Sequence, residues 1–118
     1  MPDPLPKRIR AMFFKTESGN EPVREWLKSL SKADRQCIGE DIATVEYGFP
    51  IGMPVCRPMG DGMYEVRTSL GDRIARVLFI VSGDRMFLLH GFIKKTQKTP
   101  KPDLDLALKR KKVLEKKS

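Results

Sequence analysis

The chain has few of the residues from which metal sites are built. Its 118 residues include two cysteines and one histidine. Cys37 and Cys56 lack the spacing of metal ligands and have no histidine close by in the sequence. We therefore expect plain reduced thiols, as in a cytoplasmic protein, and neither a metal site nor a cofactor.

Long apolar segments are also missing. No apolar run approaches the roughly 20 residues that a membrane-spanning helix requires, and the start, MPDPLPKRIR, has no apolar stretch of signal-peptide length. We expect a cytoplasmic protein with no membrane partner. The prolines near the start predict a flexible leader over residues 1–8, followed by a single domain over residues 9–116.

Acidic residues are in the minority, 15 against 23 lysines and arginines, which gives a formal net charge of +8. Such a charge favours nucleic acid or an acidic protein as a partner. Basic residues are dense from Lys94 onward. A solvated basic tail is one interpretation of the last ten residues. It explains Lys94 and Lys95 less well, because these two lysines end a predicted strand.

The spacing of apolar residues, glycines and prolines predicts the order β-α-α-β-β-β-α. The predicted strands cover residues 9–15, 64–68, 73–82 and 85–93, and the predicted helices follow Asn20, span 32 to about 47, and span about 104 to 115. Asn20 and Ser31 are the expected N-caps, and residues 48–62 are expected to form a long irregular loop. The pattern indicates an α+β fold, with a small antiparallel sheet packed against the N-terminal helical pair.

Two turns allow the strand register to be predicted. With Gly83 and Asp84 as a hairpin turn, paired residue numbers sum to 167, which puts Gly91 opposite Arg76 and Lys95 opposite Asp72. A turn at 69–72 suggests that residue numbers in the preceding pair of strands sum to 141, which puts Glu65 opposite Arg76 and Arg67 opposite Ile74.

Side chains opposite each other share a face of the sheet, and alternate residues change face. The predicted face contains Glu65, Arg67, Arg76 and Lys95, with Gly91 leaving room beside Arg76. Arg73, His90 and Lys94 are predicted on the other face. A slip of one residue would reverse the faces of a strand.

Two plainer interpretations compete with a reactive cluster. Glu65 and Arg76 can form a cross-strand ion pair on a solvated face, although an arginine within the apolar run from Ile74 to Val81 is costly unless it is paired or needed. His90, between Leu88 and Phe92, fits a hydrogen-bonded core residue better than a general base.

At these residues the chain resembles a known family. The element order, with YEVR, RIARVLFIV and LLHGFIKKTQKTP before a basic last helix, resembles the RelE/HigB-like toxins of type II toxin–antitoxin systems, in particular the phage-derived Gp49-like branch. The resemblance covers nearly everything from Ile9 to Glu115, and GFIKKTQKTP is its most specific part.

The resemblance implies a RelE-like fold and an endoribonuclease that cleaves messenger RNA on the ribosome. It also implies a cognate antitoxin, often of helix-turn-helix type. The family's basic residue in the third strand falls on Arg76, and the basic residue after the last strand falls on Lys95. Some relatives carry lysines where this chain has Met63 and Glu65, and a tyrosine where it has Pro100 and Lys101. The proton-transfer groups therefore stay open.

RNA can be cleaved without a metal when its own 2′-OH attacks the adjacent phosphate, if the protein aligns both groups, offsets the developing charge and moves protons. Arg76 and Arg67 suit bidentate phosphate contacts. Lys95 or Lys94 can offset charge or protonate the leaving oxygen, and Glu65 can act as a base or orient Arg76. Further RNA contacts are predicted at Lys94, Lys98, Arg73 and Lys101.

Two other functions stay open at this point. A toxin of the same fold can act without catalysis by binding a protein, as gyrase poisons do. A plain RNA-binding module would need only the basic tail. A role at a membrane surface is the least favoured, because the basic last helix has no aromatic anchor.

Overall fold

One mixed sheet of five strands organises the molecule, and the computed structural model describes residues 6–52, 55–94 and 98–117. The strands are β1 Arg10–Phe13, β2 Cys56–Gly60, β3 Met63–Leu70, β4 Arg73–Ser82 and β5 Arg85–Lys94, in the spatial order β1-β5-β4-β3-β2. The predicted α+β class is confirmed. The predicted antiparallel pairing holds for β3, β4 and β5, and the sheet is mixed because β1 pairs with β5 in parallel.

Helices cover both faces of this sheet. They are α1 Pro22–Ser29, α2 Lys32–Gly48 and α3 Lys101–Lys117. α1 and α2 pack on one face around Val23, Ile38 and Phe79, as predicted for the N-terminal helical pair. α3 packs on the opposite face, around Leu78 and Ala107. Within the described residues, no helix is long and apolar enough to cross a membrane.

The helix starts follow from local sequence. Ser31 caps α2, as predicted, and its hydroxyl accepts a hydrogen bond from the Asp34 N–H. Asn20 does not cap α1; Glu21 occupies the N-cap position. The physical reason is Pro22, whose fixed φ suits the first helical position and places the cap one residue before it.

Lys7 and Arg8, which lie in the described part of the predicted leader, contact α2. Lys7 Nζ lies 3.1 Å from Glu46 Oε1, and the Arg8 N–H donates to the Glu46 carbonyl. The Glu46 carboxylate also accepts the Ala11 N–H at 2.8 Å. One glutamate therefore ties the entry of β1 to α2, whereas residues 1–5 lie outside the described part.

Strand β2 lies within residues 48–62, where the sequence predicts only an irregular loop. Cys56, Arg57 and Pro58 pair with β3 before the register shifts at Gly60. Proline lacks an N–H and is tolerated only where no ladder bond is lost, such as an edge strand. β2 is an edge strand, so Pro58 is compatible with it, and the loop prediction is wrong here.

The β3–β4 hairpin keeps the predicted faces in a different register. Leu70 closes the turn opposite Arg73, and Gly71 supplies a positive φ of 75°. Arg67 therefore lies opposite Arg76, where Glu65 was predicted. The error is two residues, an even number, so Glu65, Arg67 and Arg76 share one face as expected.

Beyond a bulge, the register of the β4–β5 hairpin differs from the predicted register by one residue, an odd number. The predicted register holds from Ser82–Arg85 to Phe79–Leu88, and a bulge then shifts it so that Leu78 pairs with His90. Beyond the bulge Arg76 pairs with Phe92, not with Gly91. One extra residue in a strand moves all later side chains to the other face.

Gly91 consequently faces α1. A Cβ atom at this position would lie 2.4 Å from Cε3 and Cζ3 of the Trp26 ring. The prediction that Gly91 leaves room beside Arg76 is wrong, because the bulge turns it to the opposite face. The missing side chain instead lets the Trp26 ring pack directly on the backbone of β5.

Replacing Gly91 by alanine tests this packing. We expect Gly91→Ala to lower the free energy of unfolding by about 1–3 kcal/mol, because the new methyl group overlaps the Trp26 ring. Gly39→Ala is the matched control: its new Cβ meets no atom within 4 Å, and in the middle of α2 it is expected to add about 0.5–1 kcal/mol. Urea unfolding measures both. Equal stability of Gly91→Ala and the parent protein would contradict this packing.

Candidate functional site

Charged side chains gather on the face of the sheet that α3 covers. Cross-strand partners share a face, and the pairs Arg57–Glu65, Arg67–Arg76 and Arg76–Phe92 place these residues together. The charged and ionisable members of this cluster, called the basic face below, are Arg57, Glu65, Arg67, Arg76, His90 and Lys94. Four arginine and lysine cations thus outnumber the single carboxylate.

A buried ion-pair network lies at the centre of the basic face. Glu65 and Arg76 both have fully buried side chains, and Arg76 Nε lies 3.9 Å from Glu65 Oε1. Arg67 Nε is 3.7 Å from the same oxygen, and its side chain is 15% exposed. The predicted Glu65–Arg76 pair is therefore present, but it is buried and not solvated. Arg67 is the arginine of this network that reaches solvent.

The electrostatics explain why Glu65 is placed here. Burial lowers the pKa of the Arg76 guanidinium from its ordinary value, and the Glu65 carboxylate opposes that shift. Arg67 and Arg57 lower the pKa of Arg76 further, because like charges repel. Without a counter-charge, a guanidinium in the interior is strongly destabilising. Glu65 supplies that charge.

The segment that leads into α3 is anchored to this network. The Thr99 hydroxyl donates a 2.6 Å hydrogen bond to Glu65 Oε2, and Thr99 itself is buried. The chain just before α3 is thereby fixed against β3. Lys98 and Lys101, two predicted RNA contacts, are exposed on either side of this anchor and line one groove with Pro100.

His90 forms a second polar cluster with α3. Its Nε2 lies 2.7 Å from Asp103 Oδ1, and Lys94 Nζ lies 3.6 Å from Asp103 Oδ2. The His90 ring stacks on Phe92, with centroids 5.4 Å apart. The side chains of His90 and Asp103 are each 16% exposed, whereas that of Lys94 is 47% exposed. An oriented imidazole and a solvent-exposed cation thus contact the same carboxylate.

The predicted placement of His90 and Lys94 is wrong. Both were expected on the face opposite Arg76, and the bulge in β5 brings both to the basic face. Arg73 lies on the other face, as expected, where its Nη2 contacts Asp34 of α2 at 3.2 Å. Lys95, the second predicted catalytic residue, lies outside the described residues.

Three residues of this site are not predicted by the sequence. Arg57 lies in the segment taken for a loop, and Thr99 and Asp103 touch the site only through the packing of α3. The one available signal was that Thr99 and Asp103 flank the two prolines at the start of the last helix. Tertiary contacts at such a distance along the chain have no periodic signature.

The arrangement suits a bound polyanion. Arg57, Arg67 and Lys94 offer guanidinium and ammonium groups suited to phosphate, and the Asp103 carboxylate orients the His90 imidazole. In the described ranges, no three histidine, cysteine or acidic side chains converge where they could hold a metal ion.

The five-stranded sheet, the N-terminal helical pair and the last helix on the opposite face are consistent with the RelE-like class of fold. Residues 25–112 match the model of the family described as phage-derived protein Gp49-like. The chain belongs to this family of RelE/HigB-like toxins, which confirms the resemblance seen in the sequence. It is therefore a toxin of a toxin–antitoxin system, with an antitoxin as its partner. A search of the curated proteins found no match.

The buried network makes a prediction about stability. Glu65→Gln keeps the shape of the side chain but removes the negative charge beside two arginines. We expect the free energy of unfolding to fall by about 3 kcal/mol, because a buried guanidinium loses its counter-charge. Glu40→Gln, at an exposed position of α2, should change it by less than about 0.5 kcal/mol. Urea unfolding at neutral pH compares them, and equal effects would mean that Glu65 has no structural role.

Proposed function

We propose that this toxin is an endoribonuclease that cleaves messenger RNA on the ribosome through attack of the RNA 2′-OH, without a metal ion. The observation that carries the proposal is the contact of His90 and Lys94 with Asp103 on the same face of the sheet as the partly exposed Arg67. This combination offers both phosphate contacts and a proton-transfer group on one face of the sheet.

In this proposal the side chains that solvent can reach contact the phosphate. Arg67 is partly exposed and points from the same face as Lys94, so both can contact one sugar–phosphate linkage. In this proposal Lys94 offsets the charge that develops on the phosphorane. Lys95, next to it in the sequence, is proposed to share that task, and Lys98 and Lys101 are proposed to bind the flanking RNA.

Arg76 has an indirect role in the proposed mechanism. Its side chain is fully buried, so phosphate can reach its guanidinium only if the side chains above it move. We propose that Arg76 acts mainly through Glu65 and Arg67, by fixing the carboxylate against which the Arg67 guanidinium is aligned. Glu65 is likewise buried, which favours an orienting role over that of a general base.

His90 is the best candidate for proton transfer. One ring nitrogen is engaged by Asp103, which leaves the other to accept the proton of the 2′-OH or to donate one to the 5′ oxygen that leaves. General acid–base catalysis of this kind contributes about 10²–10⁴-fold in rate. Asp103 would hold the imidazole in one orientation, as carboxylates do in other histidine-dependent sites.

Expression of variants in a bacterial host tests the function itself. Induction of the parent toxin should arrest growth and produce new 5′ ends inside messenger RNA, mapped by primer extension. Arg67→Ala combined with Lys94→Ala should abolish both effects, and Lys95→Ala alone should weaken them, because phosphate contacts are lost. Arg85→Ala removes an exposed arginine at the opposite end of β5 and should leave growth arrest intact.

The same experiment separates the other functions. Growth arrest with intact transcripts and a DNA-damage response would favour a toxin that binds a protein such as gyrase. Loss of function when the exposed Lys109 and Lys116 are both replaced by alanine, with Arg67 dispensable, would favour a plain RNA-binding module. Either result would contradict the ribonuclease proposal.

The role of His90 is tested by single-turnover cleavage on ribosomes programmed with messenger RNA. His90→Gln retains a side chain that can hydrogen-bond but cannot transfer a proton. We expect its cleavage rate to fall by about 10²-fold or more, with the affinity for ribosomes unchanged. Asp103→Asn should have a smaller effect, since it disturbs only the orientation of the ring. A cleavage rate within a factor of about two of the parent for His90→Gln would exclude this role.

A further inference from the structure

The bulge in β5 leaves one residue outside the strand register. Phe79 pairs with Leu88 and Leu78 pairs with His90, so Leu89 has no cross-strand partner of its own. The Leu89 side chain is fully buried in the cluster beneath α3. Two successive residues, Leu89 and His90, therefore face the same helix.

The backbone at this bulge is held by a side chain from α3. Arg110 Nη1 donates a 2.8 Å hydrogen bond to the Leu89 carbonyl oxygen. Backbone carbonyl groups that leave a sheet ladder need another donor when water is excluded. A guanidinium is a strong donor for this purpose, because its hydrogen bond is charge-assisted.

Arg110 is itself fixed by its surroundings. Its guanidinium carbon lies 5.7 Å from the centroid of the Phe14 ring, and the Phe14 N–H donates to the Leu88 carbonyl. Burial lowers the pKa of the Arg110 guanidinium from its ordinary value, which reflects how far this side chain is withdrawn from solvent. The ring, the guanidinium and the bulge form one packed unit.

The same helix face carries the partner of His90. Asp103 and Arg110 are two helical turns apart and lie on the same side of α3, with the buried Ala107 between them. α3 thus bonds β5 at neighbouring residues, through Arg110 at Leu89 and through Asp103 at His90.

We propose that Arg110 is a positioning residue, which stabilises the bulge and so keeps His90 and Lys94 on the basic face. Without the bulge the register of the hairpin turn would continue, Arg76 would lie opposite Gly91, and His90 and Lys94 would face α1. The catalytic part of this proposal rests on the proposed ribonuclease function, whereas its structural part does not.

Three variants separate the hydrogen bond from the packing. Arg110→Met keeps a long side chain that favours helix but has no donor, and Arg110→Lys keeps a charged donor. Lys112→Ala is the control, because it removes a cation from an exposed position of the same helix. Each variant is studied as the full chain, well below its unfolding midpoint, so that the folded population is complete.

Nuclear magnetic resonance reads the register directly. In the parent protein, backbone contacts are expected between Leu78 and His90 and between Arg76 and Phe92. In Arg110→Met these contacts should weaken, and a contact between Arg76 and Gly91 should appear. Arg110→Lys and Lys112→Ala should keep the parent pattern. An unchanged pattern in Arg110→Met would overturn the proposal.

Cleavage on programmed ribosomes supplies the second measurement. We expect kcat of Arg110→Met to fall about tenfold or more, as for other misplaced catalytic groups, with KM changed by less than about twofold. Arg110→Lys should recover most of the lost kcat. A lower unfolding midpoint with kcat and register unchanged would mean a purely structural role and would also overturn the proposal. If the parent toxin cleaves no RNA, the ribonuclease proposal fails, and the backbone contacts still decide the role of Arg110.

Discussion

The extra residue at Leu89 in β5 controls which side chains this protein can use together. On the turn side of the bulge the strands follow the register set by Gly83, and beyond it every β5 side chain has changed face. Gly91 thereby meets Trp26 on one side, and His90 and Lys94 join Arg67 on the other. The packing of α1 and the composition of the basic face are thus two consequences of one irregularity in the ladder.

The last helix connects the interior to the surface of this face. Near its start, Thr99 is bonded to the buried Glu65, which lies beside two arginines. Its first turn holds His90 through Asp103, and a later turn holds the bulge through Arg110. A helix that looks like a basic tail in the sequence is therefore part of the site, and its apolar side covers the second of the two core clusters.

Much of the fold was predictable, because its signals are local. The cap at Ser31, the full extent of β4 and the position of the second hairpin turn follow from residue types within a few positions of each other. The strand β2 was missed because Pro58 is compatible only with an edge, and edge position is a property of the whole sheet. The site was less predictable, since a bulge reverses faces and leaves no compositional mark on the strand.

The amino-acid sequence alone determined the α+β class, the resemblance to the RelE/HigB-like toxins and the grouping of Glu65, Arg67 and Arg76 on one face. The class and the resemblance depend on element order and short motifs, and the grouping depends on strand periodicity, which survives an error of two residues. Tertiary structure alone decided that Arg76 is buried, that His90 and Lys94 belong with Arg67, and that Asp103, Thr99 and Arg110 support them. The physical reason is that burial, bulges and contacts between distant segments arise only when the sheet and its helices pack together.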